Sequence, residues 1–320
     1  MSVSPGEPAA GPSGLLVVDK EPGPSSFEVV QWVRRCFNTR RVGHGGTLDP
    51  FASGVLPVCV GEGTKLAPYL LDADKEYEAT VRLGIATDTY DRTGQITSRC
   101  DDLRVTDEAL QSALAPFRGT FDQLPPAYAA IKVAGRALYD YARKGEEAPR
   151  TARAVTIHEL SLLSREGPDV RLFVRCSKGT YIRSLAHDLG AALNVGAHLT
   201  ELRRLRAGPF DLTRAVKSQE LRAGGSAGVV LWGLAEVLGH WPTRTLSPAE
   251  SLAITQGKRV AAELGILAAG TRLRLLREDG SLLAVATAER RPDDPPDAAP
   301  GQLKPERVFL VEPPSRGQKP

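Results

Sequence analysis

The 320-residue chain is poor in the residues that build metal and disulfide frameworks. It has four cysteines, Cys36, Cys59, Cys100 and Cys176, far apart and with no CxxC pair. That spacing argues against a structural zinc site or a disulfide scaffold and fits a reducing cytoplasm. Its five histidines are scattered, without the helical pairing that ligates metals. Aromatic residues make up only 6% of the chain. No apolar run is long enough to span a bilayer. The opening MSVSPGEPAAGPSG has neither the basic start nor the apolar core of a signal peptide and reads as a flexible tail. A phosphate-binding loop of the GxxxxGK[ST] type is missing, since GEGTK at Gly61 to Lys65 is too short, and no GxSxG elbow occurs. The net charge of +3 does not by itself call for a polyanionic partner.

Charge is instead local. Arg34, Arg35, Arg40 and Arg41 precede a glycine-rich loop; Lys132, Arg136, Arg143, Lys144, Arg150 and Arg153 follow mid-chain; Arg203, Arg204 and Arg206 cluster later. Phosphate binding needs such patches rather than a high total. Any one cluster taken alone reads equally as a solvated face. The mid-chain segment Gln123 to Arg153 interleaves its cations with Tyr128, Tyr139 and Tyr141. That pattern suits an RNA backbone with stacked bases. A surface helix with packing tyrosines fits the composition as well.

With 42% apolar and 25% charged residues, the chain is long enough for one large core and a smaller domain. Leu15 to Val18 predicts a first strand, and Ser25 or Ser26 caps a helix to about Cys36. Val55 to Val60 predicts a buried strand that Pro57 marks as an edge or a bend. Lys75 to Leu83 alternates, with Tyr77, Ala79, Val81 and Leu83 on one face, as a half-buried strand does. Asp88 to Gly94 is turn chemistry, and Thr106 caps a short helix. Val170 to Cys176 predicts a strand, and Thr180 caps a helix whose apolar positions run from Ile182 to Leu193. Trp232 to Leu238 has helical character. From Thr243 short strands take over, at Leu273 to Leu276, Leu282 to Ala286 and Arg307 to Val311, with Arg290 to Gly301 as a loop. They predict a small β-barrel, an independent module by size.

Val42 to Leu66, VGHGGTLDPFASGVLPVCVGEGTKL, carries the chemistry. Three glycines, His44 and Asp49 fall within Gly43 to Asp49, and Pro50 follows the acid. Glycines let a main chain approach a bulky ligand closely. A carboxylate on such a loop can act as a nucleophile. As a bare dipeptide, Asp49-Pro50 is equally a helix start, though a cap needs no three glycines before it. Arg183, in KGTYIRS, falls in the first turn of its helix. A cation there opposes the helix dipole at ~0.3–1 kcal/mol and calls for an anionic partner or a turn outward to water. Tyr77 sits on the buried face of its strand, where a core tyrosine with a bonded hydroxyl is the ordinary role.

Taken in order, the motifs resemble the TruB family of tRNA pseudouridine synthases over nearly the whole chain. GLLVVDKEPGPSS at Gly14 is similar to the first motif. VGHGGTLDPFASGVLPVCVGEGTK is similar to the catalytic motif. DKEYEATVRLGIATDTYDRTG at Asp74, LPPAYAAIKVAGRALYDYARKG at Leu124, CSKGTYIRSLAHDLG at Cys176 and GAHLTELRRLRAGPF at Gly196 follow in family order. KPERVFL at Lys304 resembles the last strand of a PUA domain.

The resemblance implies an α+β pseudouridine synthase fold, a mixed and largely antiparallel sheet with flanking helices, plus a C-terminal PUA-like β-barrel. It implies a tail over 1–13, a catalytic domain over 14–242, an RNA-binding domain over 243–313 and a tail over 314–320. The reaction implied is isomerisation of uridine to pseudouridine in the T loop of tRNA (position 55). By similarity Asp49 is the nucleophile, Tyr77 stacks on the flipped base and is a candidate proton carrier, and Arg183 pairs with Asp49. His44 enters the RNA stack, and Lys20, Tyr181 and Leu202 shape the pocket. Lys132, Arg136, Arg143 and Arg204 are expected RNA contacts. No cofactor, metal, membrane or guide RNA is expected; a cytoplasmic monomer acting on tRNA is.

Three residues depart from the family pattern. Glu21 stands where proline is usual, Gly45 where threonine is usual and Ala129 where serine is usual. Competing readings are a silent RNA-binding module, a guide-dependent relative, and a glycosidase-like enzyme drawing a second carboxylate from Asp72, Asp74 or Asp88.

Overall fold

The computed structural model describes residues 11–129, 132, 133, 136, 137, 141, 146, 149–224, 229–262, 267–290 and 301–310. Strands alternate with short helices in chain order. The first half contains β1 (Gly14–Lys20), α1 (Ser26–Cys36), β2 (Val42–His44), β3 (Ser53–Val60), α2 (Ala67–Leu71), β4 (Lys75–Leu83), β5 (Ile85–Thr87), β6 (Ile96–Arg99), α3 (Asp107–Leu114) and β7 (Gly119–Gln123). There follow β8 (Lys132–Val133), β9 (Arg136–Ala137), β10 (Arg153–Glu166), β11 (Asp169–Cys176), α4 (Ile182–Ala192), β12 (Ala197–Ala207), β13 (Val216–Lys217), α5 (Ser218–Arg222) and α6 (Leu234–Val237). The chain ends with β14 (Thr243–Thr245), α7 (Pro248–Thr255), β15 (Val260–Ala261), β16 (Arg272–Leu276), β17 (Leu282–Glu289) and β18 (Gln302–Val308).

Nine strands form the main sheet, in the order β13-β1-β3-β12-β4-β11-β10-β7 with β2 on β3. Only β1–β13 and β3–β12 are parallel, so the sheet is mixed and largely antiparallel. The hydrophobic pattern dictates how it is covered. In β1 every residue of Leu15 to Val18 is buried: Leu16 and Val18 belong to the core that also takes in α1, α3 and α4, while Leu15 and Val17 belong to the core on the opposite face. A strand covered on both faces reads as a continuous apolar run. β4 alternates buried and half-exposed along its length, as its sequence predicts, and so has one wet face. Ser25 caps α1 through a reciprocal box with Glu28, and Thr106 caps α3.

Several expectations need correction. β3 is internal, bonded to β1 on one side and to β12 and β2 on the other. Pro57 lies between the stretch paired with β12 and the stretch paired with β2, with its carbonyl accepting from Gly45 N at 2.8 Å. The missing N–H falls where the ladder changes partner. α4 begins after Tyr181, not Thr180, whose hydroxyl turns back to Ser177 O at 3.0 Å. Trp232 is not helical: it exchanges backbone hydrogen bonds with Leu15 (3.1 and 2.8 Å), and only Leu234–Val237 coil.

The last five strands form a second sheet, in the order β14-β16-β17-β18-β15. Its final strand starts at Gln302, five residues before the expected Arg307. Pro305 is admitted because it sits at a register shift opposite Ala286, where the ladder needs no donor. This sheet has its own core around Leu273, Leu275 and Ile254. It is nonetheless not independent of the main sheet. Leu282, Val285 and Phe309 share one cluster with Leu15, Val17, Val55, Leu66 and Leu234. Lys65 Nζ donates to Val308 O at 2.8 Å, and Leu310 N donates to Glu62 Oε2 at 3.0 Å. No helix among the described residues is long and apolar enough to cross a membrane.

Phe309 is fully buried in the shared cluster. Phe309→Ala is expected to cost ~3–5 kcal/mol and to lower the midpoint of one cooperative denaturant transition seen by both sheets. Two separate transitions, with only the later one moved, would refute the shared core.

Candidate active site

The loop between β2 and β3 is fixed from below, leaving one carboxylate free to face outward. Ser26 Oγ donates to Leu48 O and accepts from Leu48 N, both at 2.9 Å. Gly23 N donates to Pro50 O at 2.8 Å. Lys20 is fully buried, and its Nζ donates to Glu21 O, Pro24 O and Pro50 O at 2.9, 2.9 and 3.2 Å. Pro50 and Phe51 form a turn, and no helix follows Asp49, which removes the capping role. Two glycines have a geometric reason. A Cβ on Gly45 would lie 2.8 Å from both Cβ and Cδ1 of Leu70. Threonine there would require the Leu70 side chain to shift. Gly46 has φ +142°, outside the reach of ordinary side chains.

Arg204 is the main correction to the sequence reading. It is 2% exposed and donates to Val55 O (2.7 Å), Gly46 O (3.1 Å) and Thr47 O (3.2 Å). Its guanidinium braces the loop from inside and is not available as a surface phosphate contact. On β12 adjacent side chains point to opposite faces, so Arg203 turns away from Arg204, and a bulge between Arg204 and Arg206 breaks the alternation and turns Arg206 outward as well. Both are paired there, Arg203 with Asp19 (3.0 Å) and Arg206 with Glu76 (3.4 Å) and Asp211 (3.3 Å). This cluster is a self-neutralised face.

Arg183, 5% exposed, meets Asp49 at the floor of the pocket. Nη2 donates to Asp49 Oδ1 at 3.1 Å. Nε lies 2.9 Å from Oδ2, an ion contact whose N–H is not aligned for a hydrogen bond. Nη1 donates to Thr89 O (3.2 Å) and lies 3.6 Å from Asp91 Oδ2, and Nη2 also donates to Tyr128 O (2.9 Å). Gln123 sets the helix start, accepting from Tyr181 N at 2.8 Å and donating to Tyr181 O at 3.0 Å.

Asp91 went unrecognised in the sequence because it lies in a segment that reads as a plain turn. It is 4% exposed, and its Oδ1 accepts from Thr89 Oγ1, Thr93 N and Thr93 Oγ1 at 2.9, 2.9 and 2.5 Å. A buried arginine needs such partners, since an unpaired charge out of water is costly.

Asp49, Tyr77, Tyr181, Arg183, Leu202 and Arg204 line one pocket of about 270 Å³. Lys75 and the half-exposed Leu71 also line it and were not anticipated. Burial drives the electrostatics. It raises the Asp49 carboxyl above the usual carboxylate range, against the pull of Arg183. It lowers Lys20 to about 8, against the opposing pull of Asp49. It lowers Lys75 to about 8, with Nζ bound to Leu71 O and Ala73 O at 2.7 and 2.5 Å. It raises the Tyr77 phenol, so that group stays protonated at neutral pH. Burial and then Arg204 lower His44, which is neutral at the end of β2.

Lys132 and Arg136 fall on the β8–β9 hairpin, while Arg143 and Lys144 lie outside the described residues, as does Tyr139. Asp72 is held by Lys178 (2.8 Å), Asp74 by His158 (3.2 Å), and Asp88 Oδ1 accepts from Gln95 N (2.7 Å). None of the three lines the pocket, so the second carboxylate a glycosidase needs is not supplied by them.

With this geometry in place, the relatives of the chain are informative. The pattern described as TruB family pseudouridylate synthase (N terminal domain) matches residues 34–182. The pattern described as tRNA pseudouridylate synthase B C-terminal domain matches residues 183–252. The chain is 44% identical to tRNA pseudouridine synthase B of Chromohalobacter salexigens over 278 residues, 86% of this chain and 91% of the relative. It is 49% identical to the protein of that name from Azoarcus sp., covering 77% and 83%. Among solved structures it resembles a chain of the archaeal box H/ACA sRNP Nop10-Cbf5 complex. The TM-score is 0.69 at 26% identity, covering 93% of this chain and 86% of that one. A chain of an H/ACA RNP bound to a substrate RNA containing 2′-deoxyuridine gives 0.68 at 27% identity, covering 93% and 85%. The chain has the pseudouridine synthase fold and belongs to the TruB family of pseudouridylate synthases.

Proposed function

We propose that this chain isomerises uridine to pseudouridine in tRNA, at the T-loop uridine (position 55), with Asp49 as nucleophile. The observation that carries the reading is the Asp49 carboxylate held by Arg183 in a nucleoside-sized pocket. The reaction breaks the C1′–N1 bond, turns the base, and forms a C1′–C5 bond. The C5 proton leaves and N1 gains one, so nothing is oxidised and no cofactor is required. The route runs through a glycal or through attack of Asp49 on the base ring; both give the same product.

Each neighbour has a task in this reading. The Tyr77 ring stacks on the extruded base, and its protonated hydroxyl is a proton carrier. Leu202 and Tyr181 close the apolar walls, and Lys20 holds the carbonyl of Pro50 beneath the nucleophile. His44, neutral and aromatic, fills the gap the nucleotide leaves. Flipping a base costs a few kcal/mol and is least from a loop. Lys132, Arg136 and Arg143 supply phosphate contacts on the arm.

Residues 14–242 act as the catalytic domain, 243–313 as a PUA-like RNA-binding domain, and 1–13 and 314–320 as tails. The protein works as a cytoplasmic monomer without a guide RNA. Support for the last point is the 44–49% identity to tRNA pseudouridine synthase B relatives, against 26–27% to the ribonucleoprotein chains.

A tRNA transcript tritiated at uridine C5 tests the reaction directly. Tritium release with no added cofactor, and a product mapped to the T loop, are expected; no release would refute the proposal.

Asp49→Asn is expected to retain tRNA binding and lose at least ~10³-fold in single-turnover rate, the scale of removing a nucleophile. Its stability should move the other way. The folded carboxyl has a raised pKa, so its ionisation weakens the fold. That cost is absent below ~3.9 and complete once pH passes the folded value. At neutral pH the Asn variant should therefore melt at the same or a higher temperature. A clearly lower midpoint would show that Arg183 depends on the Asp49 charge for the fold.

A further inference from the structure

A second contact between α4 and the Thr89–Asp91 turn lies one helical turn from Arg183. His187 follows Arg183 by four residues on α4 and so shares its face. The Thr89–Asp91 turn docks on that face at both levels. Thr89 O and the Asp91 carboxylate meet the Arg183 guanidinium at 3.2 and 3.6 Å. Between them, the Tyr90 ring lies flat on the His187 imidazole, with centroids 3.9 Å apart and 13° between planes.

The backbone at Tyr90 is left-handed, with φ +62°. Bulky residues rarely adopt that conformation, which glycine or asparagine take far more readily. The conformation persists because the turn is fixed on all sides: Leu199 N donates to Tyr90 O at 3.0 Å, and Thr87 Oγ1 donates to Asp91 O at 2.8 Å. Left-handed geometry at this one residue turns the Thr89 carbonyl and the Asp91 carboxylate toward the same guanidinium. A large aromatic side chain at a position that suits glycine implies a task for the ring. His187 Nδ1 finds no hydrogen-bond partner among the described residues, so the stack is the specific contact that orients the imidazole.

We propose that Tyr90 and His187 are positioning residues: their stack clamps the Thr89–Asp91 turn onto α4, and the turn sets the reach of Arg183 toward Asp49. The inference rests on the reading of Asp49 and Arg183 given above. Neither ring lines the pocket or touches the substrate in this scheme. Both act through Arg183.

Tyr90→Gly keeps the backbone and removes the stack; His187→Ala removes it from the other side; Tyr90→Phe keeps it. Crystal structures of the first two should show Thr89 O and Asp91 withdrawn from Arg183, with α4 and the main sheet unmoved. With saturating tRNA transcript, each should lower the single-turnover rate constant at least ~10-fold, as sub-ångström misplacement of a reacting group does. The Kd for tRNA should stay within about twofold, and Tyr90→Phe should restore the rate. Combined with Asp91→Asn, either variant should add little further loss, because all act on one guanidinium. An unmoved turn in the crystal structures, an unchanged rate, or fully additive losses would each overturn the proposal. If the wild-type protein forms no pseudouridine, the functional reading fails by itself, and the crystal structures still decide the positioning claim.

Discussion

A guanidinium withdrawn from water organises this site. Arg183 sits at the start of a helix, where the dipole disfavours it, and it is 5% exposed. Burying such a charge is tolerable only when its donors are matched by acceptors. The acceptors come from three segments distant in sequence: Asp49 on the loop, Thr89 and Asp91 on a turn, and Tyr128 beyond β7. The demand of one cation thus draws the pocket together. Asp49 is the member of that set left open to the cavity, its side chain being 32% exposed against 5% for Asp91. The same guanidinium thus holds one carboxylate that is sealed in and one that faces the cavity, the one proposed above as the nucleophile.

Two further buried cations brace the loop that carries Asp49. Lys20 and Arg204 bind backbone carbonyls of that loop and of the adjoining strand rather than the carboxylate itself. Water is excluded where they lie, and preorganised charges act most strongly in such places. Positive charge on several sides still does not outweigh desolvation, which raises the Asp49 carboxyl above the usual carboxylate range. The pKa shift and the stability cost it implies are two expressions of one arrangement.

Regular elements were legible in the sequence because their signals are local. The alternation of β4 gave its buried face, and a serine at 25 or 26 gave the start of α1, with Ser25 the cap in the structure. Within the site, the sequence pointed to Asp49 and Arg183 through glycine density and an ill-placed charge. It pointed away from Arg204, since a run of arginines reads as a wet surface until β12 is known to turn alternate residues inward. Asp91 was hidden in turn chemistry, because a buried carboxylate and a capping one look alike in one dimension. Pro57 misled for a physical reason. Proline signals a missing donor, but only the partner strand determines whether a donor was needed at that point. The shared core around Phe309 was equally invisible, since nothing local in β1 says which sheet covers its second face.

The account depends on the shape of the Arg183 side chain as much as on its charge. Lysine keeps the charge but has no planar fork to reach Asp49 and Asp91 together with the carbonyls of Thr89 and Tyr128. The most direct measurement is the single-turnover rate of Arg183→Lys on saturating tRNA, beside its affinity for the same RNA. A fall of at least ~10²-fold in rate with affinity preserved is expected, the scale of losing a preorganised donor. A rate within about twofold of the unmodified protein would contradict the claim that this guanidinium aims the nucleophile.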